Sequence, residues 1–133
     1  MSNEMADYVP NDHPGQVTPE WMVKRVLDKL PPNPVIVDVG CGAGNSVDFF
    51  RSLLPDCEWI GVDIAESPEV RQRKRSDAKF LEFDGINIPL PSDSVDLVFS
   101  RQVLEHVRYP ELLLKDIARI LNKDRFLVGS TSN

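Results

Sequence analysis

Between Val35 and Asn45 the chain reads Val-Ile-Val-Asp-Val-Gly-Cys-Gly-Ala-Gly-Asn, and this stretch limits the possible folds more than any other. Four apolar residues and one Asp run straight into a glycine-rich turn, with a helix expected directly after it. That is the sequence form of a strand ending in a tight loop at a helix N-terminus, where bare backbone lets N–H groups approach a ligand closely. The glycines fall at Gly40, Gly42 and Gly44. A dinucleotide fingerprint, G-x-G-x-x-G, requires glycine where Asn45 stands, so the spacing argues against a nicotinamide cofactor.

Beyond this loop, strand-like and helix-like runs alternate. Strands are expected at Val35–Val39, Trp59–Ile64, Phe80–Phe83, Val95–Ser100 and Arg125–Ser130. Helices are expected after Thr18, a cap followed by Pro19 at the first helical position, and over Ser46–Leu54. The first of these should bury Trp21, Met22, Val26, Leu27 and Leu30. A short basic helix is expected over Pro68–Arg75. A further helix opens at Pro110, with Leu113, Leu114, Ile117, Ile120 and Leu121 forming an amphipathic stripe. Such alternation predicts an α/β, doubly wound parallel sheet with right-handed crossovers. If the strand order is 3-2-1-4-5, Asp84–Ser94 must cross about 22 Å without a helix, and eleven extended residues reach about 36 Å. The crossing is feasible and puts the ligand crevice between strands one and four.

The 133 residues suffice for one domain with a core of its own. Residues 1–19, broken by Pro10, Pro14, Gly15 and Pro19, read as an extended arm preceding a domain over 20–133. Net charge is −6, and −4 of it falls in the first twenty residues on Glu4, Asp7, Asp12 and Glu20. An acidic balance gives no support for binding nucleic acid or an anionic membrane. No segment approaches the roughly 20 apolar residues of a membrane span, and the N-terminus has no signal-peptide core. Cys41 and Cys57 form neither a Cys₄ zinc site nor a disulfide framework, and no other metal site is expected. A cytoplasmic protein is the expectation.

Three features fall at the carboxyl ends of the expected strands, where an open α/β sheet binds ligands. The first is the glycine loop with Asp38. The second is Asp63, 19 residues beyond Gly44, the distance suited to a carboxylate on a nucleoside's ribose hydroxyls. The third is Asp84-Gly85, where a carboxylate and bare backbone can meet an adenine edge.

From about Pro34 onward the chain resembles the small-molecule, type 11-like branch of the class I S-adenosylmethionine (SAM)-dependent methyltransferases. Their first motif is an acidic residue followed by G-x-G-x-G. Asp84-Gly85-Ile86-Asn87-Ile88-Pro89-Leu90-Pro91-Ser92-Asp93-Ser94-Val95-Asp96-Leu97-Val98, then Val103-Leu104-Glu105-His106-Val107, is close to that branch's D-x-x-x-L-P-F-x-D-x-S-F-D-x-V … V-L-E-H-V run. Ser130-Thr131-Ser132-Asn133 resembles the end of its fifth strand.

The resemblance implies a Rossmann-like fold and places SAM against named residues. Gly40, Gly42 and Gly44, with Cys41 in the same loop, border the methionine moiety, and Asp38 helps hold its ammonium. Asp63 takes the ribose hydroxyls, Ile64 packs on adenine, Asp84 accepts from the adenine amino group, and Gly85 N–H reaches a ring nitrogen. Ser100 and Arg101, beside Gln102, border the methionine end. The implied reaction is methyl transfer to a small molecule, leaving S-adenosylhomocysteine. SAM's sulfonium supplies the leaving group, and positioning alone can contribute about 7–11 kcal/mol.

Bland readings compete at several positions. His106 is a candidate general base near neutral pH, but the Glu105–His106 pair more often shapes the loop after strand four. His13 reads as a solvated residue of the arm. The basic run Arg71, Arg73, Lys74 and Arg75 reads as a solvated helix face rather than a phosphate site.

The chain also departs from the resemblance. Asn122-Lys123-Asp124-Arg125 stands where K-P-G-G is usual before strand five, and the sixth and seventh strand pair of the family is lacking. That leaves three readings: a fragment of a longer enzyme, a minimal enzyme completed by a second chain, or a degenerate protein that binds SAM without turnover. The alternative function is accordingly a non-catalytic SAM-binding or partner-binding module. Strand five would present an exposed edge, which predicts a homodimer or a second chain covering it.

Overall fold

The computed structural model describes residues 19–101 and 107–130. Thr18, His13 and the rest of the expected arm before Pro19 lie outside the described residues, as do Gln102, Glu105 and His106.

Helix α1 (Pro19–Lys24) and a 3₁₀ turn (Leu27–Lys29) lead to strand β1 (Val35–Val39), helix α2 (Ser46–Leu53) and strand β2 (Glu58–Asp63). A four-residue helix α3 (Pro68–Arg71), strand β3 (Lys79–Glu82), strand β4 (Val95–Arg101), helix α4 (Pro110–Ile120) and strand β5 (Leu121–Ser130) follow. The five strands are all parallel, in the order β3-β2-β1-β4-β5.

That order follows from the sequence pattern. β1 and β4 are buried almost throughout and occupy the middle of the sheet, where both faces are covered. Side chains alternate between the faces. Ile36, Leu97 and Phe99 join Val47 and Phe50 of α2 and Met22 and Val23 of α1 on one side. Val37, Val39 and Val98 pack with Leu113, Ile117 and Ile120 of α4 on the other. The chain reverses its direction of winding between β1 and β4, and the crevice of such a sheet opens there.

The crossing from β3 to β4 is made without a helix, as its length allowed. Two residues of α4 tie it down. Asp116 Oδ2 accepts from Ile88 N–H at 2.6 Å, and the Arg119 guanidinium donates to the Ile88 and Leu90 carbonyls at 2.9 Å each. At the far end of the sheet Asp96 is buried: it accepts from Val35 N–H at 2.9 Å, Asn122 Nδ2 at 2.9 Å and Arg125 Nε at 3.2 Å. This knot coincides with a register shift, in which Val95 pairs with Leu121 but Leu97 with Phe126.

Four local expectations are corrected. Trp21 is 44% exposed rather than buried, because α1 stops after six residues and turns Met22 and Val23 to the core instead. β5 begins at Leu121, not Arg125, so Leu121 belongs to the sheet and not to the helical stripe; Leu114 of that stripe is exposed. The basic helix ends at Arg71. Of its basic run, Arg73 and Arg75 are not solvated but half-buried against the glycine loop. No helix among the described residues is long and apolar enough to cross a membrane.

Candidate active site

The loop after β1 takes its shape from its glycines. Gly40, Gly42 and Gly44 have φ of 79°, 56° and 89°, a left-handed backbone at alternate positions that side chains oppose. Space is equally restrictive. A Cβ on Gly42 would meet Glu69 Cβ at 3.0 Å, and one on Gly44 would meet Phe80 Cζ at 2.8 Å. Gly40 N–H donates to the Val62 carbonyl at 2.7 Å, fastening the turn to β2.

The loop forms one wall of a cavity of about 750 Å³ at the carboxyl ends of β1, β2 and β4. Of the residues the sequence nominates, Asp38, Gly40, Cys41, Gly42, Asp63, Ile64 and Arg101 line it. Asp84 lies in an adjoining recess bounded by Ile64, Glu66 and Phe83, and Phe83 borders both spaces. Gly44, Gly85 and Ser100 are outside both linings. Gly44 sits behind the loop against Phe80, Gly85 has φ of 95° and open space beside it, and Ser100 is buried next to Gly129.

Asp38 is 5% exposed and belongs to a short polar chain. Trp59 Nε1 donates to Ser46 Oγ at 2.9 Å, and the Ser46 hydroxyl donates to Asp38 Oδ2 at 2.6 Å. Burial pushes the Asp38 carboxyl up to about 7, with the Ser46 hydrogen bond opposing the rise and the carboxylates of Asp63 and Glu20 adding to it. A cation beside a carboxyl so placed favours its ionised form.

Asp63 closes β2 with both oxygens engaged. Oδ2 accepts from Gly42 N–H at 2.7 Å and Oδ1 from Ile64 N–H at 2.8 Å. Asp84 is likewise held in its own turn, accepting from Ile86 N–H at 2.9 Å, Asn87 N–H at 2.7 Å and Asn87 Nδ2 at 2.9 Å. These donors, Asn87 foremost, hold its carboxyl down at about 2, so it is an anion at every physiological pH. Each carboxylate oxygen has lone pairs to spare for a second donor.

Several contributors carried no sequence signal. Glu20 of α1 reaches the cavity mouth and pairs with Arg101 Nη1 at 2.8 Å, though 81 residues separate them. Arg73 donates from Nε and Nη2 to the Gly42 carbonyl at 3.1 and 2.6 Å. Arg75 Nη1 donates to the Gly44 carbonyl at 3.0 Å while pairing with Asp48 and Asp77, each at 2.8 Å. Both arginines lie 31 residues from the glycine they hold. No local period reports such pairings, although the density of Arg in the run was a visible oddity.

Comparisons with known proteins identify the family. The malonyl-[acyl-carrier protein] O-methyltransferase of Alcanivorax borkumensis is 32% identical over 104 residues, covering 75% of this chain and 35% of the relative. The solved S-adenosylmethionine-dependent methyltransferase of Mesorhizobium loti superposes with a TM-score of 0.60 at 27% identity, over 86% of this chain and 54% of that one. A chain in the complex between the Haloferax volcanii Trm112 methyltransferase activator and a methyltransferase gives a TM-score of 0.61 at 30% identity, over 78% of this chain and 49% of that one. The chain thus spans about half the length of these relatives or less. The Methyltransferase domain pattern matches residues 37–128. On that match, which overlaps every strand, the chain belongs to the SAM-dependent methyltransferase family.

Proposed function

We propose that this domain binds SAM with its methionine end against Asp38, the glycine loop and Arg101, and its nucleoside end between Asp63, Ile64 and Phe83 toward Asp84. It then passes the methyl group to a small-molecule acceptor. The observation that carries the reading is the cavity itself. Among the described residues, four acidic side chains, on Glu20, Asp38, Asp63 and Glu69, line it with one arginine, Arg101. A ligand with a sulfonium and an ammonium suits that balance, and a phosphate-rich dinucleotide does not. In this reading Asp38 takes the ammonium, because a cation there relieves the penalty of ionising a buried carboxyl. Methyl transfer needs donor and acceptor held in line, and the rigid ends of β1 and β4 supply that support without a strongly basic group.

A second reading is donor binding without turnover. Calorimetric titration with SAM and S-adenosylhomocysteine, beside Asp63→Ala and an NADH control, tests the donor site. Micromolar binding that the variant weakens at least about tenfold is expected, since one charged hydrogen-bonding group is removed. Equal binding of NADH, or a folded protein that ignores both SAM ligands, would overturn it. Formation of S-adenosylhomocysteine with an acceptor panel then separates catalysis from binding alone.

A further inference from the structure

Gly42 is gripped at both of its backbone polar groups. Its N–H goes to Asp63 and its carbonyl to Arg73. The second grip is unusual in its strength, because two N–H groups of one planar guanidinium converge on a single oxygen, at 3.1 and 2.6 Å. The same guanidinium lies 3.7 Å from the centre of the Phe80 ring, which fixes its plane from the other side. Phe80 in turn packs edge-on to Trp59, the donor to the Ser46–Asp38 pair. Arg73 is therefore held in place by the sheet and itself holds the loop.

A peptide group is planar and, among the described residues, trans throughout, so its carbonyl and the following N–H point in opposite directions. With the Gly42 carbonyl drawn outward to Arg73, the Ala43 N–H is turned the other way, and Ala43 lines the cavity. A glycine at φ 56° has little intrinsic preference between this peptide orientation and its flipped alternative. The positive charge on the carbonyl also polarises the peptide and strengthens its N–H as a donor.

We propose that Arg73 is a positioning residue for the donor: it fixes the Gly42–Ala43 peptide so that the Ala43 N–H is presented to the carboxylate of SAM's methionine end. Arg75 backs the same loop one step further on, at the Gly44 carbonyl. The inference rests on the SAM reading above. Lysine cannot replace Arg73, because an ammonium offers neither the planar fork nor the flat face that stacks on Phe80.

The test compares SAM with decarboxylated SAM, which differs in the carboxylate alone, by calorimetry on the whole chain and on Arg73→Ala and Arg73→Lys. Thermal melting of each variant checks that it is folded, and if Arg73→Ala is not, Arg73→Lys carries the comparison. Wild type should prefer SAM relative to the variants: each variant is expected to lose about tenfold in SAM affinity and about twofold or less for the decarboxylated form. A general loosening of the loop would weaken both ligands alike, and that result, or no loss for either, overturns the proposal. If wild type binds neither ligand, the SAM reading falls and takes the inference with it, a result distinct from a deficit confined to the variants.

Discussion

Asp38 is the residue whose chemistry depends most on its surroundings. An ordinary aspartate is ionised from about pH 4 upward, whereas burial holds this one near 7. The sign for stability is fixed by that shift. Between the unfolded value and about 7 the folded state keeps a proton that the unfolded chain has lost, so stability in the absence of ligand falls as pH rises through this window. For a cationic ligand the sign reverses, because the ionised carboxyl is the form that binds it. SAM affinity is therefore expected to be about tenfold weaker at pH 6 than at pH 8. Asp38→Asn should flatten that profile and weaken binding at pH 8. Titrations at several pH values check both, and a wild-type affinity independent of pH would contradict the assignment of Asp38 to the ammonium. Asp84, already an anion at about 2, contributes no slope in this range.

The elements are joined by polar side chains placed where strands and turns end. Asp96 ties the beginnings of β1 and β4 to the incoming residues of β5. Removing its carboxylate leaves the Val35 N–H without this acceptor and the partly buried Arg125 without its ion pair. Asp96→Ala should cost about 2 kcal/mol, read as a lower melting temperature, with SAM affinity unchanged because the knot lies at the opposite end of the sheet from the cavity. An unchanged melting temperature would show that the β4–β5 pairing does not depend on it. The Asp116–Arg119 pair on α4 does comparable service for the crossing segment, lowering the Asp116 carboxyl below its usual range through the Arg119 hydrogen bond.

On the scale of the whole molecule, the sheet has two edges of different length. β3 presents four residues and β5 ten, each paired on one side only among the described residues. A long unpaired strand is a template for association. We propose that the outer edge of β5 takes a second strand, either from another copy of this chain or from a second protein. Sedimentation at increasing concentration is expected to show a monomer–dimer equilibrium, and a strict monomer at high concentration would count against self-association.

The layered order of strands and helices was legible in the sequence because it rests on local physics. The apolar run Val35–Val39, the alternate glycines and the Leu113–Ile117–Ile120 stripe each state their own structure, and the loop lengths permit the strand order found. The carboxylates at the strand ends were legible for the same reason: they sit at fixed steps from a recognisable loop. What the sequence could not state is anything that depends on residues far apart along the chain meeting in space. Glu20 closing on Arg101, Asp96 gathering three partners, and Arg73 and Arg75 turning from an apparently solvated helix onto the glycine loop are all of this kind. A side chain's reach and a neighbour's backbone carbonyl leave no period in a sequence. Only the tertiary structure decides which carbonyl an arginine finds.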